Sequence, residues 1–197
     1  MSTQPIPRLS PQQYLERERA AAFKSEYYQG EMFAMAGASR EHNLIVANLV
    51  REIGNALKDS DCEVYPSDMR LKISASGLYT YPDVTIACGA PKFEDDELDT
   101  LLNPVVLIEV LSESTEAYDR GTKSAHYRRL PSLKHYVVVS QYQCSVEILS
   151  RSSDDTWTLS DASELTDALR LRTPSVSIPL AEVYRNIQFG DSHLHSS

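Results

Sequence analysis

The chain has 197 residues, 42% of them hydrophobic and 24% charged, which is the balance of a folded domain and excludes global disorder. Lys and Arg total 19 against 28 Asp and Glu, a formal charge of −9, so a protein that grips nucleic acid through its overall field is excluded. Contact with DNA would need a local basic patch or cations offsetting a carboxylate cluster.

At this length one domain is expected, over residues 10–187, with loose ends at 1–9 and 188–197. His193 and His195 fall in the polar tail and read as solvated. No apolar run approaches the roughly 18 residues of a membrane span. The start carries Pro5, Pro7 and Arg8 in place of an apolar leader core. Cys62, Cys88 and Cys144 are odd in number and widely spaced, with neither a metal cluster nor a disulfide framework in view, so a reducing cytoplasm is the expected setting.

The first helix is expected after Ser10, an N-cap followed by Pro11 at the first helical position, running to about Phe23. Glu26 to Met35 reads as a hairpin turning near Gly30. Ser39 caps a second helix whose Ile45, Leu49, Ile53 and Leu57 recur every four residues, ending near Lys58. Strands follow at about Cys62–Tyr65, Met69–Ile73 and Asp83–Ala87. In the second of these, Arg70 and Lys72 alternate with Leu71 and Ile73, predicting two basic groups on a wet face. The acidic run Glu94 to Asp99 reads as a solvated loop.

Val105 to Ile108 is apolar on both faces, the pattern of an interior strand, and ends at Glu109. A helix from about Glu116 to Leu130 is stopped by Pro131. Tyr136–Val139 is a second interior strand, Val146–Leu149 a half-buried one, and Trp157–Leu159 a further strand. A short helix from Leu180 to Tyr184 closes the fold. Helices interleaved with a mixed sheet give an α/β or α+β class.

The informative chemistry is a pair of acids at strand ends. Asp83 opens one strand after Pro82, and Glu109 closes the most hydrophobic one. A carboxylate abutting four apolar residues must stay at the sheet's mouth, pair with a base, or bind a metal. Two on neighbouring strands would make a hard oxygen site for Mg²⁺ or Mn²⁺; strand capping or pairing with Arg or Lys is the plain alternative. Lys123, His126, Tyr127 and Leu130 share a helix face, which turns Lys123 inward if Tyr127 and Leu130 pack on the sheet. A cation there could neutralise charge on a phosphate. From Arg120 to His135 there is no acid, and Arg120, Arg128 and Arg129 are candidate phosphate contacts or, equally, a solvated face.

Several ordered strings carry a resemblance. Tyr81-Pro82-Asp83-Val84, Val106 to Thr115 and Tyr118 to Tyr127 are similar to the Uma2 family of restriction-endonuclease-like proteins. Gly30 to Ser39 followed by Glu41-His42-Asn43, and Pro179 to Tyr184, fit the same pattern. Together they span about Tyr14 to Tyr184. The family is similar to the PD-(D/E)xK nucleases, which implies a restriction-endonuclease-like mixed sheet flanked by helices with core order α-β-β-β-α-β. It implies a metal-dependent endonuclease acting on DNA, with Asp83 and Glu109 as ligands of Mg²⁺ or Mn²⁺ and Lys123, from the following helix, as the catalytic lysine. The superfamily pattern has its lysine two residues after the second acid, where this chain has Leu111. Glu31, His42 and Asp68 are accessory candidates. A homodimer would suit cutting two strands. The alternative, favoured by Leu111 and the acidic charge, is a catalytically silent nuclease-fold module that binds nucleic acid or protein.

Overall fold

The computed structural model describes residues 8–189, so His193, His195 and residues 1–7 lie outside it. Helix α1 spans Pro11–Ala20, with the Ser10 hydroxyl accepting from the Gln13 N–H and the Gln13 side chain accepting from the Ser10 N–H. The segment expected to be loose is corrected at Leu9. Its N–H donates to the Gly30 carbonyl at 3.0 Å and its carbonyl accepts from the Tyr27 hydroxyl at 2.8 Å.

Strands β1 (Ser25–Tyr28) and β2 (Glu31–Ala34) form the expected hairpin. Its two-residue turn, Gln29-Gly30, has φ of 50° and 91°, the left-handed pair that matches strand twist. A Cβ at Gly30 would lie 2.5 Å from the Arg8 Cβ, so glycine is required twice over.

Helix α2 spans Arg40–Leu57, with the Ser39 hydroxyl accepting from the His42 N–H. Its Ile45, Leu49 and Ile53 are fully buried, each contributing roughly 1.5–3 kcal/mol. Then follow β3 (Cys62–Pro66), β4 (Arg70–Ile73), β5 (Leu78–Thr80), β6 (Val84–Cys88), the two-residue β7 (Thr100–Leu101) and β8 (Val106–Leu111). The helix expected over Glu116–Leu130 is broken into α3 (Glu116–Tyr118), a wide π-helical turn over Asp119–Lys123 containing Gly121, and α4 (Ser124–Tyr127). Such turns widen a helix by one residue and re-aim side chains. The chain ends with β9 (His135–Ser140), β10 (Val146–Arg151), β11 (Trp157–Ala162), β12 (Ala168–Leu171), β13 (Val176–Pro179) and α5 (Leu180–Val183).

The fold is mixed α+β. A six-stranded sheet runs β11-β10-β9-β8-β6-β3, and a five-stranded sheet runs β2-β1-β5-β4-β7. Within the larger sheet, α2, β3, β6, β8, the α3–α4 crossover and β9 follow the core order α-β-β-β-α-β, with β8 and β9 parallel and the rest antiparallel. One face packs on α2, the β12–β13 hairpin and α5. The other face, carrying Leu107, Leu111, Tyr136 and Val138, packs on Tyr127, Leu130 and Leu133 of the crossover region and on Leu71, Ile73 and Leu78 of the smaller sheet. Helix α1 covers the far side of that sheet through Tyr14 and Leu15 against Tyr27 and Tyr79.

Three further expectations are corrected. Arg70 is buried, not wet. Its guanidinium reaches the Tyr81 hydroxyl, Thr100 and Asp99, because α1 and the β7 loop cover that side of β4. Cys62 and Cys88 form a disulfide, since antiparallel pairing of β3 and β6 sets them directly opposite. That removes the argument for a reducing compartment from unpaired cysteines. Residues 188–189 do not stand apart as a tail: the Phe189 ring packs edge-on against Tyr184, 5.2 Å between centroids. No described helix is long and apolar enough to cross a membrane.

Candidate active site

The pairing of β6 with β8 aligns Val84 with Ile108, so Asp83, one residue before β6, faces Glu109 across the ladder. Directly opposite residues of an antiparallel pair project to the same side. Asp83 is fixed by its Oδ2, which accepts the Val110 N–H at 2.8 Å and lies 3.1 Å from His42 Nε2 at the start of α2. Glu109 is buried in the middle of the molecule, 4% exposed. Its Oε1 accepts the Tyr127 hydroxyl at 2.6 Å and lies 2.9 Å from the Lys123 Nζ. Burial pushes the Glu109 carboxyl up to about 8; the Lys123 charge opposes this, and the Asp119 and Asp83 charges add to it.

Lys123 projects from the π-helical turn and is also buried. Burial alone would lower its pKa, but Glu109, Tyr127, Glu26 and Asp119 together raise it well above the usual lysine value. Its ammonium lies 3.3 Å from Glu26 Oε1 and 3.4 Å from Asp119 Oδ1, with the Tyr118 and Tyr127 ring centroids each 5.9 Å away. Glu26 arrives from β1 of the smaller sheet. Tyr27 pairs with Tyr79, which sets Glu26 beside Thr80, whose hydroxyl donates to Glu26 Oε1. The Tyr118 hydroxyl reaches Glu26 Oε2 at 3.4 Å. Asp119 Oδ1 is buried without a hydrogen-bond donor, and burial raises its pKa. One ammonium therefore sits among three carboxylates at the seam between the two sheets.

Asp83, Glu109, Lys123 and His42 thus come together. Asp68 does not: it is exposed and pairs with Lys24 at 2.9 Å, away from the cluster, which corrects its accessory placement. Glu31 is exposed at the start of β2 with no contact to the cluster. Arg120 is held by Glu116 at 2.8 Å and by Glu147 at 2.5 Å, so it is not a free basic group. Arg128 and Arg129 are exposed. Leu111 lies on the same strand face as Glu109, packed with Tyr127 and Leu130. The sequence reading missed Glu26 and Asp119. Asp119 had a legible signal, its i, i+4 spacing to Lys123. Glu26 had none beyond its place in a hairpin.

Chemically, Asp83 and Glu109 offer hard oxygens, and their hydrogen bonds engage Oδ2 and Oε1 only. Among the described residues, no group of three or more His, Cys, Asp or Glu forms a ready-made metal cage. Magnesium is commonly held by one or two carboxylates, with water and substrate oxygens completing its shell, so the donor set fits.

The family described as "Uma2: Putative restriction endonuclease" matches residues 11–181. In Synechocystis sp. (strain ATCC 27184 / PCC 6803 / Kazusa), "Uncharacterized protein slr1290" is 34% identical over 185 residues, 94% of this chain and 96% of its own length. "Uncharacterized protein sll1609" of the same organism is 39% identical over 153 residues, 78% of this chain and 86% of its own. Among solved structures, one from Anabaena variabilis ATCC 29413, described as "a putative nuclease belonging to DUF820", superposes with a TM-score of 0.70 over 88% of this chain and 96% of its own, at 12% identity.

Proposed function

The chain belongs to the Uma2 family, and from that premise we propose that it is a divalent-cation-dependent endonuclease hydrolysing phosphodiester bonds in DNA. The observation that carries this reading is the Asp83–Glu109 pair facing across β6 and β8, with a charged lysine 2.9 Å from Glu109. Asp83 and Glu109 would hold Mg²⁺ or Mn²⁺. Such an ion supplies Lewis-acid polarisation of a phosphoryl oxygen.

The chain's own residues do the positioning. The Val110 N–H and His42 aim Asp83, and the Tyr127 hydroxyl aims Glu109. Lys123 keeps its proton and presents a fixed positive charge where charge develops on the phosphate. Leu111, at the superfamily lysine's position, cannot do this. Arg128 and Arg129 are exposed cations of the basic stretch, available to a phosphate backbone. A homodimer presenting two such sites would suit scission of both strands.

The test is plasmid cleavage with Mg²⁺ or Mn²⁺ by the parent, Asp83→Asn and Lys123→Ala. A loss on the order of 100-fold or more is expected for each variant. Equal cleavage by all three sinks the assignment. A parent that binds nucleic acid without cutting it would instead be a silent module of the same fold.

A further inference from the structure

Glu26 lies outside the α-β-β-β-α-β core, on the hairpin of the smaller sheet, yet it touches the lysine on which the proposed chemistry depends. Its neighbours explain why it points inward. Alternation along β1 sends Tyr27 to the α1 side, into the cluster with Tyr14 and Tyr79, and so sends Glu26 toward the large sheet. There Thr80 and Tyr118 each donate a hydroxyl to it, one to each carboxylate oxygen. Two donors on one side chain fix its rotamer, and the remaining bond of Oε1 is the contact to the Lys123 ammonium.

Three carboxyl groups surround that ammonium, and one of them, Glu109, is also a proposed ligand of the divalent ion. A carboxylate that shares its charge with a dication gives less to a neighbouring ammonium, and the dication repels that ammonium directly. Lys123 is almost wholly removed from water, so with Glu109 withdrawn it would be driven out of its pocket unless other anions keep it. Asp119, in the same helical turn, contributes Oδ1 at 3.4 Å; that oxygen has no hydrogen-bond donor to hold it in place. Glu26 contributes an oxygen already anchored by Thr80.

We propose that Glu26 is a positioning residue that retains the Lys123 ammonium in the site when Glu109 is engaged by a divalent cation. This deepens the nuclease reading and rests on it for its catalytic consequence, though not for its physical content. It makes the β1–β2 hairpin part of the active centre: the large sheet supplies the two ligands, and the smaller sheet holds the lysine's second anion.

The experiment compares the full-length parent with Glu26→Gln, Glu26→Asp and Tyr118→Phe. Mn²⁺ binding is measured by calorimetry, the Lys123 ammonium by its ¹H–¹⁵N resonance with and without Mg²⁺, and cleavage under single-turnover conditions. The parent should keep a slowly exchanging ammonium signal when Mg²⁺ is added. Glu26→Gln should bind Mn²⁺ within about threefold of the parent, lose the ammonium signal on adding Mg²⁺, and cut at least tenfold more slowly. Glu26→Asp should restore part of both, and Tyr118→Phe, which leaves the carboxylate but removes one anchor, should show a smaller loss of the same kind. Adding Glu26→Gln to Lys123→Met should slow cleavage no further than Lys123→Met alone, because the glutamate acts through the lysine.

An ammonium signal and cleavage both unchanged in Glu26→Gln overturn the proposal. So does a Mn²⁺ affinity that collapses in Glu26→Gln, which would make this residue a ligand. A parent that binds Mn²⁺ but never cuts DNA defeats only the nuclease reading, and the ammonium signal still decides the role of Glu26.

Discussion

The molecule holds two buried ionic networks, and they are built on opposite principles. In the first, under α1, Arg70 is met by the Tyr81 hydroxyl, Thr100 and Asp99. The Tyr81 hydroxyl in turn donates a hydrogen bond to Glu18, and Arg19 clamps Asp99 and Asp95. Two guanidiniums serve three carboxylates, close to balance, and the Arg19 guanidinium holds Asp99 down to about 2. In the second, at the seam between the sheets, Glu26, Glu109 and Asp119 share one ammonium, and Glu109 is pushed up to about 8. A nearly balanced network stiffens a fold. The surplus of buried acid at the seam is the setting in which the proposed divalent cation would be bound.

Removing a member of the balanced network should do the most damage to stability. Arg70→Met takes the buried guanidinium from Asp99, Thr100 and the Tyr81 hydroxyl and should lower unfolding free energy by about 3–5 kcal/mol in urea titrations, with any cleavage per folded molecule unchanged. A loss under about 1 kcal/mol would erase the contrast between the two regions.

The excess-anion network should show itself next, in the pH dependence of melting with chelator present. The Glu109 carboxyl sits near 8 in the folded chain and near its ordinary 4.5 when unfolded, so between these values the folded state binds more protons. Stability from this group is fully present below about 4.5 and is lost as pH rises toward 8, a swing on the order of a few kcal/mol. Glu109→Gln should flatten that slope; an unchanged slope would break the comparison.

A cation should relieve the same imbalance. Mn²⁺ at a hundred times its Kd should stabilise the parent by about 2.7 kcal/mol, read as a rise in Tm, and Asp83→Asn should abolish the rise. The smallest effect is expected at the surface: Arg120→Ala breaks its links to Glu116 and Glu147 and should change stability by about 0.2–1 kcal/mol.

How much of this was legible in the sequence follows from how local each signal is. The four-residue rhythm of α2, the apolar blocks of β8 and β9 and the capping box of α1 depend on neighbours in the chain, and the elements formed there. The buried stripe of Lys123, Tyr127 and Leu130 was legible for the same reason, although the turn that carries it is π-helical, which periodicity alone does not distinguish. The acids at the strand ends stood out because each abuts apolar sequence. Glu26 was hidden because its partners are 54 and 97 residues away in the chain, Thr80 and Lys123. Arg70 was misread because alternation reports which face a side chain takes but not whether another layer covers that face. The Cys62–Cys88 link needed the β3–β6 register.

The parallel pairing of β8 with β9 has one last implication. A chain leaving the end of β8 cannot turn straight back; it must travel over the sheet before it re-enters alongside. Its first stretch is obliged to hover above the strand it has just left, so a side chain there reaches the same spot as one mounted on the strand itself. Lys123 and Glu109 meet at 2.9 Å by this route, the strand mounting the acid and the returning chain mounting the amine.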